Sequence, residues 1–249
     1  MIGELILSFF SAPIGSDTSC DDSYPPNQEL TQLRECIPNF DARTTSARIL
    51  DMGCGEGYQC IALSELGAKE VIGVDPNPRC YEAACQLLEC RSNHKVSFCR
   101  EPPQGLFDII LSKDAMEHYP DPEGILDEMK SMLAPGGEIL MIFGPPWFAP
   151  YGAHVMCFTK LPWVNIFFSE KTVMNVRSKY RHDGAKRYEE MEGGLNRMTI
   201  ARFERIIKQS DLKVDYLYYS CIKRFDFLSK IPILREFFIN HVTCILKKI

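Results

Sequence analysis

The feature that most constrains this chain is the stretch Ile49–Pro78, ILDMGCGEGYQCIALSELGAKEVIGVDPNP. A short, mostly apolar run, Ala47-Arg48-Ile49-Leu50, reads as a buried strand. Gly53, Gly55 and Gly57 then stand at alternate positions. Glycine carries no side chain, so such a loop tolerates positive φ and lets a ligand come close to backbone amides. Ile61, Ala62, Leu63 and Leu66 supply the apolar side of a following helix, which Gly67 ends. Val71-Ile72-Gly73-Val74 is a second buried strand, and it stops at Asp75. Strand, glycine loop, helix, strand and acid, in that order, are how a doubly wound sheet binds a nucleotide-like ligand at the carboxyl edge of its strands.

The spacing narrows the ligand. A dinucleotide fingerprint reads G-x-G-x-x-G, and counted from Gly53 its third glycine falls on Tyr58. Here the pattern is G-x-G-x-G, preceded by Asp51, whose carboxylate would repel a pyrophosphate. An acid there suits a ligand with a cationic end. S-adenosylmethionine has an ammonium and a sulfonium and no phosphate. The run ILDMGCGEG resembles the first motif of the class I S-adenosylmethionine-dependent methyltransferases, with the small-molecule, type 11-like members nearest in pattern. The similarity continues through FDIILSKDAMEHYPDPEGILDEMKSMLAPGGEILM, which looks like that family's fourth strand, the next helix and the L-x-P-G-G turn before the fifth strand. It covers roughly residues 47–143 and is weak outside them.

The resemblance implies S-adenosylmethionine as donor and S-adenosylhomocysteine as product. It implies that Asp51 orients the loop and faces the methionine ammonium. The backbones of Gly53, Cys54, Gly55 and Gly57 would approach the ligand, and Asp75 would take both ribose hydroxyls. Pro76 and Asn77 would wall the adenosine, and Ser112 and Lys113, ending the fourth strand, would lie by the amino-acid part. The connection CREPPQGLFD is shorter than in many relatives; Glu101 is the residue placed to stand in for their adenine-side acid, with Arg100 the other polar candidate.

The formal net charge is −5 and no long lysine or arginine block occurs, so no nucleic-acid partner is expected. The 11 cysteines are odd in number and scattered, with no C-x-x-C pair and no histidine at metal-site spacing. That pattern predicts reduced core residues, no metal and a cytoplasmic setting. The opening MIGELILSFFSAPIG is apolar but carries Glu4, lacks a positive leading region and is too short to span a bilayer. It is expected to be an arm or helix on the domain or over the cofactor, without stable membrane insertion.

Along the chain, strands are expected near 47–52, 70–74, 96–99, 107–112 and 138–143, and helices over 58–66, 79–91 and 122–132. A helix from Glu29 to Cys36 follows a turn-rich loop over 16–28. Thr199 caps a helix through Gln209, LKVDYLYYSC alternates as a strand, a helix covers 226–239, and HVTCILKKI closes as a strand. The fold class is therefore α/β: a doubly wound, Rossmann-like, seven-stranded and mostly parallel sheet, whose antiparallel last strand the resemblance implies, with a helical and aromatic lid insertion. Residues 1–45 form an N-terminal arm and helices covering the cofactor site, 46–144 with 199–249 the methyltransferase core, and 145–198 the lid or substrate-binding insertion.

Methyl transfer from a sulfonium is an in-line displacement, so the protein mainly aligns the reactants and excludes water. Two histidines are placed to act on an acceptor: His118, in the E-H pair after the fourth strand, and His154, within WFAPYGAH of the insertion. Either could instead be a packing residue. Trp147, Tyr151, Trp163 and Phe167 could line an apolar substrate pocket or form the insertion's own core. The expected function is methyl transfer to nitrogen or oxygen of a small, fairly apolar metabolite, nitrogen being slightly favoured and carbon left open. A catalytically silent cofactor-binding protein of this fold, or a protein methyltransferase, are the alternatives; the oligomeric state is open.

Overall fold

The computed structural model describes residues 2–12, 29–91 and 94–248; the loop expected over 16–28 lies outside them. The chain opens with α1 (Ile2–Phe9), α2 (Thr31–Cys36) and α3 (Phe40–Thr44). The alternating part follows: β1 (Arg48–Met52), α4 (Tyr58–Glu65), β2 (Glu70–Val74), α5 (Pro78–Arg91), β3 (Val96–Cys99), β4 (Phe107–Lys113), α6 (Pro122–Ser131) and β5 (Leu133–Phe143). After β5 come α7 (Val164–Phe167), α8 (Glu170–Arg177), α9 (Ile200–Gln209), β6 (Leu212–Cys221), α10 (Pro232–Phe238) and β7 (Ile239–Lys248).

Among the described residues, seven strands make one sheet in the order β3-β2-β1-β4-β5-β7-β6. β7 runs antiparallel to both its neighbours, and the other ladders are parallel. The central strands read as continuous apolar runs because both faces are covered. On one face Leu50, Ile110, Met141 and Cys244 pack against Leu126, Met129 and Phe203. On the other, Ile49, Ile109, Ile142 and Ile245 pack against Leu33, Ile37, Ile61 and Leu63. The order reverses between β1 and β4, so the carboxyl ends of these two strands open the crevice in which such sheets bind ligands.

The expected boundaries hold closely in the alternating part. Thr199 caps α9, its hydroxyl accepting from the Arg202 amide at 3.0 Å. Two further free amides of that helix end, at Ile200 and Ala201, are taken by Glu236 of α10. The helix expected over 226–239 is divided. A 3-10 turn, Asp226–Lys230, gives way to extended Ile231, and α10 begins only at Pro232. Proline disfavours helical backbone in the residue before it and lacks an N–H, which forces that break. Ile239 already belongs to β7.

Between β5 and α9 the chain builds a third apolar cluster, with Phe158, Val164, Val173, Met174 and Tyr188 at its centre. Leu7 of α1 is fully buried in it. The described residues of the N-terminal arm thus divide: 2–12 join the insertion, while α2 and α3 pack under the sheet.

Candidate active site

The glycine loop is shaped by contacts a side chain would break. Gly53, Gly55 and Gly57 all have positive φ. The amides of Gly53 and Cys54 both donate to the Val74 carbonyl, tying the loop to the end of β2. Gly57 sits against the ring of Phe98, whereas space over Gly55 is open. Asp75 joins the two loops at this edge: one carboxylate oxygen accepts the Gly55 amide at 2.9 Å, the other the Asn77 amide at 2.9 Å. Each oxygen keeps a further lone pair for an incoming hydroxyl.

Asp51 lies beneath the loop, fully buried. Its Oδ2 accepts from Gln59 at 3.0 Å and from the Cys60 thiol at 3.3 Å. Its Oδ1 is buried without a partner. Burial pushes this carboxyl up to about 6, against the two hydrogen bonds that favour the charged form. A buried carboxylate oxygen without a donor fits a ligand that brings one, and best a cationic one.

Next to it, at the end of β4, the Ser112 side chain is fully buried and shares a hydrogen bond of 2.9 Å with the Tyr119 hydroxyl, which also donates to the Met52 carbonyl. Tyr119 thereby ties the ends of β1 and β4 together. Lys113 pairs with Asp114 at 2.6 Å. Pro76 and Glu101 line a groove of about 500 Å³ with Cys99 and Arg100, on the β2–β3 side of the glycine loop.

The acceptor-side candidates meet across a long stretch of chain. The rings of His118 and His154 stand edge to face, 5.3 Å between centroids. His118 donates from Nδ1 to the Gly194 carbonyl at 2.5 Å, which fixes that proton and leaves Nε2 with a lone pair. His154, held at φ 50°, donates from Nε2 to the Pro145 carbonyl at 3.3 Å. Burial lowers both imidazoles, and with the neighbouring His118 charge it takes His154 down to about 4. His154 is therefore neutral at physiological pH. Glu117 is buried beside them; Oε1 accepts the Gly144 amide at 3.0 Å and Oε2 has no partner. Burial, and then the charge of Asp114, push its carboxyl up to about 8.

The aromatic candidates divide. Trp147 packs edge-on against Tyr188 at 4.9 Å, within the insertion's core. Trp163 meets Phe238 at 6.2 Å, so the insertion leans on the end of α10. Tyr151 is half-buried, and its carbonyl accepts the His154 amide. Phe167 is 69% exposed on α7 and is not gathered with the others.

Three residues that the sequence did not single out hold this edge: Tyr119, Asn196 and His241. The Asn196 side chain donates to the carbonyls of Met116 and Tyr119 and its backbone amide donates to the Glu117 carbonyl, pinning the D-x-x-E-H segment from the far end of the insertion. His241 follows Asn240 in β7, against Gly144. For Tyr119 the signal was its place beside the E-H pair; for the other two there was none.

The chain matches the family described as "Methyltransferase domain" over residues 27–217, more than half its length. The chain belongs to the class I S-adenosylmethionine-dependent methyltransferases. It is 33% identical over 117 residues to an uncharacterized methyltransferase of Mycobacteroides abscessus, 45% of this chain and 44% of that protein. It is 35% identical over 101 residues to a tRNA U34 carboxymethyltransferase of Saccharophagus degradans, 38% of this chain and 31% of that protein. A ubiquinone biosynthesis O-methyltransferase of Paraburkholderia phymatum is 30% identical over 129 residues, 46% of this chain and 54% of that protein. These alignments span from 31% to 54% of the curated relatives' lengths. The crystal structure of an S-adenosylmethionine-dependent methyltransferase from Mesorhizobium loti shares the fold, with a TM-score of 0.57 at 17% identity over 88% of this chain and 97% of that one.

The buried Glu117 of this methyltransferase gives a stability prediction. Its folded value of about 8 lies above that of an unfolded glutamate, so the folded state holds a proton that the unfolded state releases. Stability therefore falls as pH rises from about 4.5 towards 8. Glu117→Gln keeps the acceptor for the Gly144 amide and cannot ionise. It is expected to melt close to wild type at pH 5 and several degrees higher at pH 8. Parallel melting curves at both pH values would refute the assignment.

Proposed function

We propose that this methyltransferase moves a methyl group from S-adenosylmethionine to a nitrogen or oxygen of a small, fairly apolar acceptor. The observation that carries the donor half is the buried Oδ1 of Asp51, which has no partner, at the end of the strand leading into a glycine loop that is open at Gly55. Asp51 would hold the ammonium, Asp75 the ribose, and Pro76 and Glu101 the adenine side. Ser112 supports the wall through Tyr119, and Lys113 balances Asp114 beside it. When bound, the cofactor supplies a sulfonium-activated methyl group.

On the acceptor side, residues 145–198 act as the lid over the carboxyl edge, and His154 of the lid meets His118 there. His118 is the better base, since its Nδ1 proton is fixed and Nε2 is left to take the acceptor's proton. His154 orients the acceptor or the His118 ring. Tyr151 and Trp163 shape the apolar side of the pocket, which Trp147 backs from the insertion's core. The net charge of −5 supports a small acceptor. The similarity to a tRNA-modifying enzyme favours a second reading, an RNA acceptor.

Calorimetric titration tests the donor half. S-adenosylmethionine and S-adenosylhomocysteine are expected to bind, and NAD is not; absence of both sulfur compounds would overturn the reading. The same preparation is then screened with apolar amines, phenols and tRNA. Turnover of an amine or phenol, lowered about 10²–10⁴-fold in His118→Ala with cofactor affinity kept, is the expected outcome. Turnover on tRNA alone would establish the second reading, and tight cofactor binding without any turnover would point to a silent binder.

A further inference from the structure

The outer face of α1 inverts the usual pattern of a surface helix. Ile2, Leu5, Ile6 and Phe9 fall at i, i+3, i+4 and i+7, which places them on one face. All four are exposed, Phe9 by 83% and Ile2 by 77%. The helix is held from its other side. Leu7 is fully buried in the insertion, and Gly3 faces Phe168 and Thr172. Glu4 accepts from Asn175 at 2.7 Å, and Ser8 accepts from Lys179 at 3.0 Å. The apolar face is thus presented on an anchored helix.

Around this face the charge is positive. Lys171 and Lys179 lie close enough to Glu4 to help hold its carboxyl below the usual range, after the Asn175 hydrogen bond. Lys160 follows Thr159, which bridges to Ser11 just beyond α1. All three lysines are exposed, on a chain whose net charge is −5. An apolar helical face rimmed by lysines is the arrangement by which a helix lies in the headgroup region of an anionic bilayer. Among the described residues no helix is long and apolar enough to cross one.

We infer that this face docks the protein on an anionic lipid surface, with Leu5 and Phe9 entering the interface and Lys160, Lys171 and Lys179 against lipid phosphates. A second copy of the chain is the weaker occupant. A two-fold pairing through α1 would set one lysine rim against the other, whereas lipid phosphates neutralise it. The inference is independent of the acceptor's identity.

The test is flotation of the full chain with unilamellar vesicles of phosphatidylcholine, alone or mixed with phosphatidylglycerol. Binding to the mixed vesicles is expected, with little to phosphatidylcholine alone. Leu5→Ser with Phe9→Ser should abolish it. Lys160→Gln, Lys171→Gln and Lys179→Gln together should weaken it about a hundredfold. Leu5, Phe9, Lys160 and Lys171 face solvent, and Lys179 gives up one exposed hydrogen bond to Ser8, so both variants should stay folded, the lysine variant melting slightly lower. Failure to bind the mixed vesicles, equal binding to both kinds, or binding that survives the Leu5/Phe9 changes would each overturn the inference. So would a lipid-free dimer in sedimentation velocity that Phe9→Ser dissociates, since that assigns the face to a second copy.

Discussion

Replacing Asp51 by asparagine is expected to lower affinity for S-adenosylmethionine by about 3 kcal/mol, a hundredfold or more, while leaving the free protein at least as stable. The two effects separate because they depend on different atoms. In the free protein the carboxylate satisfies Gln59 and Cys60 through one oxygen only, and an amide oxygen can do the same. Burial already pushes the carboxyl up to about 6, so above that pH the folded state carries an uncompensated charge that asparagine removes. The ligand's ammonium would compensate that charge, and asparagine cannot supply it. Calorimetric dissociation constants for S-adenosylmethionine and S-adenosylhomocysteine, with melting curves of the ligand-free proteins, are the measurements. An unchanged dissociation constant would remove Asp51 from the donor site, and a collapsed melting temperature would make it a structural residue. In the wild type, a cationic partner favours the ionised form, so affinity should decline as pH falls below about 6.

Gly57→Ala should act on the fold instead. The added methyl would stand 2.4 Å from Cζ of Phe98 and 3.0 Å from Cβ of Ala84, at a φ of +83°. Phe98 has no easy retreat, because its ring also closes over Gly73. Overpacking and left-handed backbone together are expected to cost about 3 kcal/mol, or roughly 10 °C in melting temperature. Phe98→Leu in the same chain should recover part of the loss by withdrawing the ring. Gly55→Ala is the internal contrast. Nothing lies within 4 Å of its added methyl, so strain alone should cost about 1 kcal/mol, while the methyl enters the space proposed for the ligand. If Gly55→Ala and Gly57→Ala lose equal stability, the packing argument fails.

These two positions show why one part of the site was legible in the sequence. A strand end, a turn needing positive φ and a strand-end acid are local demands of the backbone, written in consecutive residues from Asp51 to Asp75. The alternation of apolar runs likewise reported a sheet covered on both faces. A break such as that at Pro232 was visible in principle, since proline's effect on Ile231 is local.

The acceptor side was different. His118 and His154 were each visible as residues, but not that their rings meet at 5.3 Å. Asn196 reaches Met116 across 80 positions, and Tyr119 reaches Met52 across 67. The aromatic run of the insertion was ambiguous between pocket and core, and packing assigned Trp147 to the core and Phe167 to the surface. The sequence by itself determined the sheet, the glycine loop and the pair of acids at its edge, because each follows from neighbours in the chain. Only the tertiary structure decided which histidines share a site, what pins the E-H segment and which face of α1 looks outward, because those depend on contacts between segments whose separation leaves no periodic trace.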